Sequence, residues 1–273
     1  MVYVSKALKQ QFPEIFTSFS SRIDLREIDS TNLWCRDYMP IKTGDSFTKF
    51  KYKELEKYPL LAVNPECWRF VNPHLSDIYL DGGNVVQSNE VVFITEQVFK
   101  NNPLMSRVDL TQFLKDIFEK KIVFIPVEPG DDLGHADGII KFKDENTVII
   151  NDYRSLVSQT WVEYAMKLEK IIADAGFEFM KTPWAYGDCP QLTEVEFRKK
   201  YPLADDFNPG FGYYINYYKA DDVVFLPIFD NKQDVEAIKF IRNTIPAWYE
   251  IVTINCADLS MLGGLLNCVT WEF

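Results

Sequence analysis

The chain has 273 residues, of which 47% are hydrophobic and 15% aromatic, and it carries a formal net charge of −11. That composition supports a large buried core and argues against nucleic-acid binding, which needs clustered Lys and Arg for phosphate contacts. A small cationic partner suits an acidic chain better. The five cysteines (Cys35, Cys67, Cys189, Cys256 and Cys268) are odd in number and contain no CxxC pair. This speaks against a disulfide framework or a zinc site, and no metal or other cofactor is expected. The start, MVYVSKALKQQFPEIF, shows no basic segment leading into an apolar one. No run approaches the roughly 18 apolar residues of a membrane span, so the expectation is a cytoplasmic chain with no membrane partner.

In chain order, VYVS reads as a short strand, SKALKQQFPEIFTSF as a helix and SRIDLREI as a strand. WCRDYMPIKTGDSFTKF (34–50) reads as strand, Thr-Gly-Asp turn, strand, and 51–78 as an irregular stretch with several prolines. DGGNVVQSNEVVFI (81–94) is an apolar strand, a polar turn and a β-branched strand; DLTQFLKDIFEK then gives a helix and KIVFIPV another strand. The order repeats in HADGIIKFKDENTVII (135–150), WVEYAMKLEKIIADAG and FEFMKTP. It repeats again in YYINYYKADDVVFL (213–226), DVEAIKFIRNTI and YEIVTI. Between these two copies, 182–212 is rich in Pro, Gly and aromatics and reads as an inserted active-site loop. GGLLNCVTWEF (263–273) is a final strand whose missing partners are supplied by the N-terminal strand–helix–strand.

One marker residue near each module start, namely Asp37, Asn84, Asp137, Asn216 and Cys268, recurs on average about every 55 residues around the chain, one supersecondary unit per step. The expected fold is α/β: a five-module pseudo-symmetric α/β propeller, a single catalytic domain over 1–273, with the N- and C-termini completing one module. Polar residues at equivalent module starts would then converge on the propeller axis, where a rigid scaffold can assemble a site from several strand ends.

Four of those starts carry motifs. WCRDYMP resembles the WxRDxGP signature of the agmatine deiminase and bacterial peptidylarginine deiminase family. DGGN is similar to its (E/D)GG motif, GHADG to its GHxDG motif, and GGLLNC to the Gly-rich approach to its nucleophilic cysteine. ITEQVFKNNP and GYYINYYKADDVVFLPIF resemble family segments in the same order, so the resemblance covers nearly the whole chain. It implies the pentein propeller fold, in agreement with the repeat. Two positions depart from the pattern: Met39 stands where a Gly is usual, and Asn267 where a His commonly precedes the nucleophile.

The resemblance implies the following roles. Cys268 would attack the central carbon of a guanidinium, as a thiolate is the strongest side-chain nucleophile available near neutral pH. His135 would protonate the leaving nitrogen and then activate water. Asp37 and Asp137 would grip the planar guanidinium through its N–H edges. Asp81 would orient His135 or touch the substrate. Beside the resemblance, Asn84 is a candidate substrate contact, and Trp34, Trp184 and Tyr186 are either aromatics that stack on the cation or core and loop aromatics. The implied activity is deimination of agmatine, arginine or an arginine derivative. An amidinotransferase using the same Cys and His, and a non-catalytic pentein, are the alternatives. The expected partners are a small cationic guanidino substrate and a second copy of the chain.

Overall fold

The computed structural model describes residues 1–54, 64–156, 158–190, 192–201 and 209–272. Its architecture is mixed α/β with five three-stranded sheets. Strands β1 (Val2–Ser5) and β2 (Leu25–Ile28) are parallel neighbours. Sheet two is β3 (Ile41–Thr43), β4 (Ser46–Lys51) and β5 (His74–Tyr79). Sheet three is β6 (Val86–Gln87), β7 (Val91–Thr95) and β8 (Lys121–Ile125). Sheet four is β9 (Ile140–Phe142), β10 (Thr147–Asn151) and β11 (Glu178–Thr182). Sheet five is β12 (Tyr218–Ala220), β13 (Val223–Ile228) and β14 (Glu250–Asn255). The last strand, β15 (Trp271–Glu272), pairs antiparallel with β1, so both ends of the chain lie in one sheet.

Each internal module is an antiparallel hairpin followed by a crossover to a parallel third strand. In the last three of these modules the crossover contains an amphipathic helix: Arg107–Phe118, Gln159–Asp174 or Asp234–Thr244. The middle strands are β-branched and aromatic because helix and neighbouring sheets cover both their faces; Val91–Thr95 is buried at every position. Pro13 cannot continue the first helix, and the run expected as one helix is two, Lys6–Gln11 and Pro13–Ser20, with Pro13 opening the second. Among the described residues, no helix is long and apolar enough to cross a membrane.

Two further expectations change. The stretch 51–78 contains β5, the parallel partner of β4, so His74 begins a strand rather than lying in irregular chain. Residues 55–63 of that stretch lie outside the described residues. The module starts are turns before they are strands. Asp37 sits in a single helical turn, Cys35–Tyr38, and Asn84, Asp137 and Asn216 sit in 3-10 turns at Gly82–Asn84, Ala136–Gly138 and Tyr214–Asn216. The fifth marker, Cys268, follows Leu265 in a turn closed by Val269 N donating to Leu265 O. A turn here frees the side chains from strand alternation and aims several polar groups the same way.

Hydrogen bonds join these five turns in a circuit. Gly83 N donates to Asp37 Oδ1 (2.8 Å), and His135 Nε2 meets Asp81 Oδ2 (3.3 Å). Asn216 Nδ2 donates to Asp137 O (3.4 Å), and Asn267 N to Asn216 Oδ1 (3.0 Å). Arg36 N donates to Cys268 O (3.1 Å).

Candidate active site

The turns bring five of the expected residues together. Cys268 Sγ is 3.9 Å from Asp137 Oδ2 and 3.6 Å from Asn216 Oδ1. His135 lies between two carboxylates, its Nδ1 3.7 Å from Asp37 Oδ1 and its Nε2 3.3 Å from Asp81 Oδ2. Asp37, Asp81 and Asp137 are all buried. Buried carboxylates need partners. Asp37 has the Gly83 amide, Asp81 the Lys53 amide, and Asp137 the Asn267 side-chain amide at 2.7 Å.

The DGGN glycines are explained by close approach rather than by backbone sign. A Cβ on Gly82 would lie 1.8 Å from the Arg36 carbonyl oxygen. A Cβ on Gly83 would lie 2.6 Å from both Asp37 Oδ1 and His135 Nδ1. Likewise Gly264 leaves room for the Trp34 ring, which a Cβ there would meet at 2.4 Å. Any side chain at these positions would push apart the groups the motifs exist to join.

A cavity of about 80 Å³ opens over Cys268, His135 and Asp137. It has room for several water molecules and so for a four-atom guanidinium. Glu128, Asp131 and Tyr213 also line it, as do Gly263, Gly264 and Leu265. Among the described residues, no Lys or Arg lines it, so the cavity favours cations.

The expected site residues are placed as follows. Asp137, His135 and Cys268 line the cavity. Asp37 and Asp81 lie one layer deeper, against the two nitrogens of His135. Trp34 packs beside Gly264. The side chain of Asn84 faces its own module, accepting from Thr95 N at 2.8 Å. Trp184 is buried in an aromatic cluster with Tyr153, Trp161, Tyr186 and Tyr213.

Three residues of the site were not expected. Asn216, seen only as a repeat marker, contacts Cys268, Asp137 and Asn267. Glu128, seven residues before His135 in an irregular segment, is 5% exposed and accepts from the phenols of Tyr153 and Tyr213, the latter at 2.9 Å. Nothing in its local sequence pattern marks it. Tyr213 is separated from Glu128 by a whole module.

Protonation follows from burial and charge. Burial opposes the His135 cation, but Asp37, Asp81 and Asp137 outweigh it and hold the imidazole well above its ordinary value. Burial, with Asp137 and Asp37 beside it, pushes the Cys268 thiol well up, against opposing bonds from the Leu265 backbone and Asn216. Burial pushes the Glu128 carboxyl up to about 8, with the Tyr153 bond opposing and the Asp131 charge adding to the rise. The surroundings thus favour an imidazolium at His135 and a neutral thiol at Cys268.

Known proteins share this framework. A structure of C. jejuni agmatine deiminase with substrate bound superposes with a TM-score of 0.74 over 99% of this chain and 92% of that one, at 14% identity. Agmatine deiminase of Enterococcus faecalis gives 0.71 over 99% and 92%, at 16% identity. At such identities these likenesses establish the fold. In sequence, a Listeria monocytogenes protein carrying the provisional name agmatine deiminase 2 is 23% identical over 205 residues. The match takes in 71% of this chain and little more than half, 54%, of the Listeria protein. A family profile matches residues 1–273 from end to end. The chain belongs to the Porphyromonas-type peptidyl-arginine deiminase family.

Proposed function

We propose that this chain is a guanidine deiminase, converting a guanidinium to a ureido group and ammonia through a covalent thiouronium on Cys268. The observation that carries the reading is the placement of Cys268, Asp137 and His135 on one cavity whose wall is otherwise acidic or neutral. Asp137 takes an N–H edge of the guanidinium, and Asp37 and Asp81 keep His135 protonated from behind. Substrate charge favours the thiolate, the thiol proton is released to solvent as the cation binds, and the sulfur attacks the central carbon. The tetrahedral adduct collapses with cleavage of a C–N bond, and His135 gives its proton to the departing ammonia. Neutral His135 next takes a proton from water, and the hydroxyl adds to the thiouronium carbon. Cleavage of the C–S bond releases the ureido product and the thiol.

Of agmatine, arginine and arginine derivatives, the wall of Glu128 and Asp131 favours agmatine, whose far end is an amine with no carboxylate. The chain acts as one catalytic domain over 1–273, and its five sheets close as a propeller. The shared β1–β15 sheet and the hydrogen-bonded circuit of five turns support that closure. The test of function is ammonia release from agmatine, arginine and an arginine peptide, with mass spectrometry of the products. Ureido product without an added amine is expected. No ammonia from any of the three would overturn the reading, and product formed only with an acceptor amine would replace hydrolysis by amidino transfer.

A further inference from the structure

We infer that Asn267 is a positioning residue: its side-chain amide fixes the Asp137 carboxylate, turning one oxygen toward Cys268 and leaving the other for the substrate cation. The inference rests on the proposed roles of Cys268 and Asp137. Asp137 Oδ2 receives Asn267 Nδ2 at 2.7 Å and is the same oxygen that lies 3.9 Å from Cys268 Sγ. Among the described residues, Oδ1 accepts no hydrogen bond, and Asp137 lines the cavity. A carboxylate held by one oxygen presents the other in a fixed direction, and a planar guanidinium is gripped well only by acceptors so fixed.

Asn267 is itself anchored by its backbone. Its N–H donates to Asn216 Oδ1 at 3.0 Å, and its carbonyl accepts from Arg36 Nε at 3.3 Å and Thr270 Oγ1 at 3.1 Å. The amide is thus tied to three modules and keeps its place when only its side chain is changed. It also has a chemical function. When the thiolate forms, a second negative charge appears 3.9 Å from Asp137 Oδ2. A donor on that oxygen reduces the repulsion, and an amide, unlike an imidazole or a carboxylic acid, provides it without titrating.

Asn267→Asp tests this most directly. It keeps size and backbone anchors but sets a carboxyl against Asp137. Two carboxyls at hydrogen-bond distance share one proton and release it above the usual carboxylate range. The other charges that bear on the pair are Asp37, His135, Arg36, Lys141 and Cys268 itself. While the proton is shared, the acid donates as the amide did. Once it is lost, Asp137 is displaced and the thiol gains a negative neighbour.

The readout is alkylation of Cys268, mapped by peptide mass spectrometry, with neutral iodoacetamide and with a cationic haloacetamidine from about pH 5 to 9. Turnover is measured in parallel, and thermal melting verifies the fold. In Asn267→Ala, the preference for the cationic reagent should fall at least about tenfold at every pH. In Asn267→Asp, it should be kept at acid pH and lost toward alkaline pH. Wild-type preference and pH profile in both variants would overturn the inference. A loss in Asn267→Asp that does not depend on pH would also overturn it, by showing a merely structural role. Wild-type protein with the expected alkylation pattern but no turnover would sink the deiminase reading and leave the positioning role in place.

Discussion

Cys268 Sγ and Asp137 Oδ2 stand 3.9 Å apart, so the proposed nucleophile and the proposed substrate grip share one electrostatic environment. Their charges oppose each other until a cation arrives between them. An unperturbed thiol is about 3% ionised at pH 7, and Cys268, pushed up by burial and by Asp137 and Asp37, is ionised less. A neutral alkylating agent should therefore react slowly with the free protein at pH 7, and a cationic haloacetamidine much faster. Cys268 should be labelled before Cys35 or Cys256, which are fully buried thiols pushed up to about 12 and still further by that burial. Peptide mapping that finds another cysteine modified first would refute the assignment. Asp137→Asn should cost at least about 2 kcal/mol in kcat/KM, roughly thirtyfold, by loss of a charge-assisted contact.

His135 and its two carboxylates give a pH prediction. The imidazole is held above its ordinary value, so its favourable charge contributes stability that is fully present at acid pH. That stability is lost as pH rises through the folded-state value. Asp81→Asn removes one of the carboxylates that outweigh burial, and the imidazole should lose its proton at lower pH. If protonated His135 is the acid that releases ammonia, the alkaline limb of kcat moves to lower pH in Asp81→Asn. Asp37→Asn should shift it the same way, because Asp37 also faces the ring. An alkaline limb that stays in place in both variants would mean that another group supplies the proton.

The motifs were legible because backbone constraint and chemistry fall on adjacent residues. In DGGN the carboxylate of Asp81 stands beside glycines that permit the approach to Arg36 and Asp37. In GHADG the ring and the carboxylate lie on one short turn. What escaped was assembled across the chain. Glu128 finds its hydrogen-bond partners, Tyr153 and Tyr213, on two other segments. Asn84 is a reverse case: it occupies the equivalent place in its module, yet its carbonyl satisfies the buried Thr95 amide. Equivalent position in a repeat fixes where a residue sits, not which way its side chain is needed. The β5 strand was hidden by a pattern in which Leu75 is exposed and Ile78 buried, an alternation spoiled by the bulge opposite Lys49 and Lys51.

The shared sheet of β1 and β15 should make the termini interdependent. Val2 is opposite Glu272 and Tyr3 opposite Trp271. Trp271 is buried, touches Tyr3, Phe47 and Phe70, and donates its indole N–H to Pro40 O at 2.8 Å. Trp271→Ala should destabilise by about 3–5 kcal/mol. Deleting residues 1–25 removes β1, two helices and the start of β2, and exposes core and sheet edge together, so it should abolish cooperative folding. A soluble protein lacking 1–25 that still melts in one sharp transition would show that the sheet does not close the fold.

Glu128 should set both substrate choice and part of the pH dependence of stability. Its carboxyl is pushed up to about 8, chiefly by burial, so at pH 7 it is mostly neutral between two phenols. The sign is that of a raised acid: its stability contribution is greatest below the ordinary carboxylate range. It falls as pH rises toward 8, because the unfolded chain ionises there and the folded chain does not. Glu128→Gln removes this dependence, so the melting temperature of the variant relative to wild type should climb from about pH 4.5 to 8 and then level off. Substrate should respond in the opposite sense. A cationic tail at the wall lowers the carboxyl pKa and drives off its proton, so wild-type KM for agmatine should drop as pH rises from 7 to 9. The glutamine variant cannot ionise, and its KM should be flat over that range and higher than wild type, by about tenfold at pH 8.5 for one lost charge-assisted contact. An alkylguanidine of the same length without the amine should show no difference between the two proteins. Equal losses for agmatine and for that neutral-tailed analogue would mean that Glu128 only holds Tyr153 and Tyr213 in place and does not read the far end of the substrate.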